Sequence, residues 1–106
     1  MDKPTLKIDG KTIAPSEPVS MKVWRAVVEF DEEDKSEMLT KDFIEKHLDI
    51  IVEIFGRDEI STETLEANIA IDDVIPFCRK CCGWVYGLAF SKLRKIPNPE
   101  AVEAVS

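Results

Sequence analysis

Glycine, histidine and cysteine are scarce in this chain of 106 residues, which holds four, one and three of them respectively. Four glycines are too few for most phosphate cradles, and neither a P-loop nor a Gly-x-Gly-x-x-Gly turn occurs. With His47 alone and no Gly-x-Ser-x-Gly elbow, no nucleophile–base pair stands out. The plentiful carboxylates are scattered, so they do not mark an acid/base pair, and no enzyme is inferred. A long hydrophobic run is also missing. The longest uncharged apolar stretch, Cys81 to Ser91, falls well short of the ~20 residues that span a bilayer. Behind Met1-Asp2-Lys3-Pro4 there is no apolar segment of the secretory kind, so the chain is expected to stay in the cytoplasm where it is made. Positive charge is not in excess either. Fourteen basic against 21 acidic residues give −7, which argues against nucleic acid and anionic membranes as partners.

What is present describes a folded protein: 44% of residues are hydrophobic and 33% charged. The length suits one domain with a small core. The charge is unevenly spread. Residues 1–73 hold 19 acidic and 9 basic groups, a balance of −10. Residues 74–99 hold Arg79, Lys80, Lys92, Arg94 and Lys95 and no acid, a balance of +5.

The pattern predicts a mainly α protein (α+β, helix-dominated), with four helices preceded by a short N-terminal β-hairpin. Asp9-Gly10 between two short apolar-patterned runs is a type I′ turn signal, because both central residues there need positive φ. Pro15 and Pro18 close the second strand and stiffen the connector. The first helix starts at the Ser20 cap, with Val19 placed to staple onto Trp24, and Met21, Trp24, Val27 and Val28 form its buried stripe. The acidic run Glu29 to Asp34 reads as a solvated loop or fraying helix end. The second helix runs from a Thr40 cap to a Gly56 stop, with an apolar face broad enough for two partners. In the third, Ile60 staples Leu65 across a Ser61 cap. The fourth follows an Asp72 cap, tolerates Pro76 in its first turn, and extends from about Asp73 to Leu93. Residues 1–95 are read as a single helical domain with its hairpin, and 96–106 as a mobile tail after two prolines.

Cys78, Cys81 and Cys82 form the one cluster with chemical potential. A zinc site needs four ligands, commonly in two separated pairs, and the sole histidine lies on another helix. A redox Cys-x-x-Cys would open a helix after a strand rather than sit in mid-helix after a proline. The cysteines are therefore expected to pack as small apolar side chains, with no metal and no cofactor. His47 is expected to be partly buried or surface-facing. The fourth helix carries more interest, because apolar residues cover most of its circumference. Gly83, Gly87 and Ser91 form a small-residue stripe beside Trp84, Tyr86 and Phe90, a combination suited to close approach by another backbone. These six residues are the candidate partner-binding set.

The order of elements resembles the small tail assembly chaperones of long-tailed (siphovirus-type) bacteriophages and prophages. The resemblance rests on Asp9-Gly10-Lys11 in the hairpin, Trp24-Arg25 in the first helix, and Ile54-Phe55-Gly56 ending the second. Ile71-Asp72-Asp73-Val74-Ile75-Pro76-Phe77 and a Val/Trp-rich terminal helix complete it, so it covers about residues 5–90. It implies a non-enzymatic, self-associating helper in the bacterial host cytoplasm. Such a helper binds the tape-measure protein, keeps it soluble and helps recruit tail-tube protein. Cys78, Cys81, Cys82 and the basic end Lys92 to Lys95 stand outside the resemblance. A competing reading is an acidic adaptor or inhibitor of a host protein, with Asp31 to Asp34 as its contact.

Overall fold

Asp9 and Gly10 take φ angles of 50° and 83°, the positive values a two-residue hairpin turn requires at both central positions. They join strands β1 (Leu6–Ile8) and β2 (Lys11–Ile13), paired antiparallel with Leu6 opposite Ile13 and Ile8 opposite Lys11. A two-stranded ribbon is marginal alone, and this one leans on the helices. Ile8 and Ile13 are buried in the common core. Just beyond the ribbon, the Ser16 N–H donates to Phe55 O at 2.8 Å, and Arg57 Nε donates to Ala14 O at 2.9 Å.

The computed structural model describes residues 3–92. The tail expected at 96–106 lies outside these residues, as does Leu93. Among the described residues four helices follow the hairpin: α1 (Met21–Glu32), α2 (Thr40–Phe55), α3 (Thr62–Asn68) and α4 (Val74–Leu88), the last entered through a 3₁₀ turn at Ile71–Asp73. This is the expected helix-dominated architecture with an N-terminal hairpin.

Helix α2 is the hub, packed against α1, α3 and α4. Leu48, Ile50, Ile51, Ile54 and Phe55 are buried around more than one side of it, which explains its unusually wide apolar face. The stop at Gly56 is local chemistry: its left-handed φ of 55° suits glycine, and its N–H donates to Val52 O. At the other end, Leu39 rather than Thr40 takes the cap position, and Thr40 is the first helical residue.

Two other boundaries differ from expectation. Asp72 does not cap α4. It sits inside the 3₁₀ turn, and Asp73 holds the cap position without a side-chain cap bond. Helix α4 ends at Leu88 instead of Leu93. There Phe90 N–H donates to Gly87 O and Ser91 N–H to Leu88 O, so the chain tightens into i→i+3 turns. Pro76, the third residue of α4, is tolerated because a first-turn N–H has no intrahelical acceptor. Helix α3 shows the clearest cap. Thr64 N–H donates to Ser61 Oγ at 3.2 Å, and Ser61 N–H donates back to Thr64 Oγ1 at 2.8 Å.

The stripe of α1 is rotated from the expected one. Val27 and Phe30 are buried and Trp24 and Val28 are half-buried, whereas Met21 is 65% exposed. Of the two readings of the acidic run, the structure shows the helix end: α1 continues through Glu32 with Glu33 at its cap, and Phe30 enters the core. Lys35 folds back over this end with its ammonium 4.1 Å from the Phe30 ring centre, and it donates to Phe30 O.

Candidate functional site

The register of α4 divides its apolar residues. Val74, Cys78, Cys81, Cys82 and Val85 recur at spacings of three and four (with one extra at 82) and face the core. Trp84 joins them at 5% exposure, so its ring belongs to the protein's own core and offers a partner no surface comparable with Phe90. Tyr86 is half-buried and its hydroxyl donates to Asp31 Oδ2 on α1, while Arg79 Nη1 donates to Asp31 Oδ1 at 2.7 Å. Partial burial works against the charge of Asp31. The hydrogen bonds from Arg79 and Tyr86, with the charges of Arg79 and Lys35, outweigh it and hold the carboxyl below its ordinary range. For Tyr86, burial and the Asp31 carboxylate together push the phenol up to about 12. Thus one polar clamp ties the acidic end of α1 to the middle of α4.

Among the candidate residues, Gly87, Phe90 and Ser91 face outward. Phe90 is 46% exposed in the tight turn after α4, and Ser91 Oγ donates to Leu88 O. Around Gly87 the space is open: a Cβ built there meets nothing within 4 Å. Its smallness is not demanded by internal packing. Gly83 is half-buried. The structure therefore brings Gly87, Phe90 and Ser91 to one surface end of α4, keeps Tyr86 at the margin in a bond to Asp31, and places Trp84 inside.

Beside that end lies a hollow of about 330 Å³ lined by Val19, Met21, Trp24, Val85, Leu88 and Ala89, with Ser20 as its polar member. Met21 is the residue that sequence reasoning assigned to the core. Its place one residue after the Ser20 cap is the missed signal, since a first-turn side chain at the tip of a helix often overhangs its packing partner. A second hollow, about 310 Å³, opens at the far end of α4 between α2 and α3. It is lined by Ile44, Leu48, Ile69, Ile71 and Val74 with Lys41, Glu45 and Glu66. Ile71, in the 3₁₀ turn before α4, and Ile75, in its first turn, are 74% and 38% exposed.

The other sequence candidates resolve into packing. Cys78, Cys81 and Cys82 are fully buried free thiols. The bond between Cys78 and Cys82, together with burial, pushes the Cys78 thiol up; burial, reinforced by Cys82, pushes Cys81 up to about 12. The same bond draws the Cys82 thiol down, against its burial. His47 is buried more deeply than expected, its ring between Phe30 and Phe43 at centroid distances of 5.0 and 4.6 Å, with Nδ1 2.8 Å from Phe43 O. Among the described residues, no three His, Cys, Asp or Glu side chains are grouped to hold a metal, and no helix is long and apolar enough to cross a membrane. The acidic run is largely committed within the chain: Asp31 to Arg79 and Tyr86, Glu33 to Lys46 at 2.9 Å, and Asp34 to the Ser36 N–H at 3.0 Å.

A family model described as phage tail chaperone protein matches residues 1–96. Neither a curated protein nor a solved structure matches the chain.

Proposed function

Since the chain belongs to the phage tail chaperone family, we propose that it is a non-enzymatic assembly factor that binds the tape-measure protein in the bacterial host cytoplasm. It keeps that protein soluble and helps bring tail-tube subunits to it, acting as a homo-oligomer. The observation that carries this reading is the apolar end formed by α1 and α4. Met21 and Phe90 stand exposed there and Leu88 and Ala89 line an open hollow, while residues 1–73 carry a balance of −10. An aggregation-prone helical partner needs an apolar surface to cover it and a charged carrier to keep it in solution. In this arrangement Phe90, Gly87 and Ser91 make the contact, Gly83 and Tyr86 border it, and Trp84 supports it from beneath.

Coexpression tests the proposal directly. The full chain should keep the tape-measure protein encoded with it in the soluble fraction. A Met21→Glu/Phe90→Glu variant should lose that protection while its circular dichroism stays that of the wild type, because both side chains are exposed. A tape-measure protein that remains insoluble beside the wild-type chain would overturn the reading.

A further inference from the structure

The hollow between α2, α3 and the 3₁₀ turn is a second surface, set apart from the α1/α4 end. Val74 lines it and Val85 lines the other, and eleven helical residues separate these two by roughly 16 Å. Its walls are helical. Ile44 and Leu48 lie four residues apart on α2, Ile69 follows α3, and Val74 opens α4. Ile71 projects at its edge with most of its surface in water. Neighbouring helices that leave an apolar furrow between them present the geometry into which an amphipathic helix lays its side chains.

The charge around the furrow narrows the occupant. Glu45 and Glu66 line it, Asp72 and Asp73 follow Ile71 directly, and Lys41 is the one cation lining it. Two lining carboxylates against one ammonium, with two more carboxylates next in sequence to Ile71, favour basic flanks on whatever lies there. A second copy seated by two-fold symmetry would bring the same carboxylates to face one another, which is unfavourable.

We propose that this furrow docks an amphipathic helix of another protein whose apolar stripe is flanked by lysine or arginine. The proposal stands apart from the tape-measure reading, which concerns the opposite end of α4. Ile71 supplies the gripping edge, Ile44, Leu48, Ile69 and Val74 the floor, and Glu45 and Glu66 select the sign of the flanks.

The test uses the full chain and two synthetic helical peptides with one leucine stripe, flanked by lysine in one and by glutamate in the other. Fluorescence anisotropy should show the lysine peptide binding about tenfold or more tightly than the glutamate peptide, with the difference shrinking at high salt. Ile71→Glu should abolish binding with an unchanged circular dichroism spectrum. Glu45→Lys/Glu66→Lys should reverse the preference between peptides, so the test does not hang on a single variant. Equal binding of both peptides, or binding insensitive to Ile71→Glu, would overturn the proposal. So would sedimentation showing that Ile71→Glu dissociates a self-associated wild type, since the furrow would then hold a second copy.

Discussion

Tyr86 shows how one side chain can carry two assignments that sequence cannot separate. A tyrosine on an apolar helix suits an interface, yet its hydroxyl here is bonded to Asp31, which Arg79 also holds. The residue offers an unusually clean measurement, because it is the only tyrosine in the chain. Its ultraviolet titration should have a midpoint near 12 rather than the ordinary 10.0. A raised folded value means that this contribution to stability is complete below about pH 10 and is lost as pH rises through 12. In Asp31→Asn the midpoint should move back toward 10, since the carboxylate's bond and charge both hold the proton in place. A midpoint unmoved by Asp31→Asn would show that burial alone sets it. Asp31 has the opposite sign. Its lowered value means that its contribution is present above the ordinary 3.8 and is lost as pH falls through the folded value.

Among the elements, α3 and α4 are stabilised by different means. Helix α3 has seven residues, too few to persist on propensity, and buries Leu65 as its one core side chain. Its reciprocal Ser61–Thr64 cap therefore matters more than a cap on a long helix would. Ser61→Ala should lower the free energy of unfolding by about 1 kcal/mol, read from urea denaturation followed by circular dichroism. No change would mean that packing of Leu65 and Ile60 holds the segment without its cap. Helix α4 needs no such device, because Val74, Cys78, Cys81, Cys82 and Val85 lock it against the core along its length. Beyond that stripe its register no longer finds core. The tightened turn at Ala89 to Ser91 marks the place, with Phe90 left outside. The sequence showed where apolar residues continue but not where the neighbouring helix stops covering them.

At the scale of the whole molecule, hairpin and helices share one core. Ile8 and Ile13 belong to the same cluster as Ile51, Phe55, Trp84 and Val85. Far-ultraviolet circular dichroism and tryptophan fluorescence should accordingly give coincident midpoints in urea, as a two-state unit requires; separated midpoints would show that a part unfolds alone. The sequence by itself determined whatever depends on a residue and its immediate neighbours. Asp9-Gly10 set the hairpin turn and its register, Gly56 the end of α2, and Ser61 the start of α3. The −7 charge was equally legible. Only the tertiary structure decided which apolar side chains remain uncovered. Periodicity shows that a helix has an apolar face; whether that face is filled depends on the length and angle of helices distant in sequence. Trp84 and Phe90 looked alike along the chain. Packing buried the first and left the second, with Met21 and Ile71, in water.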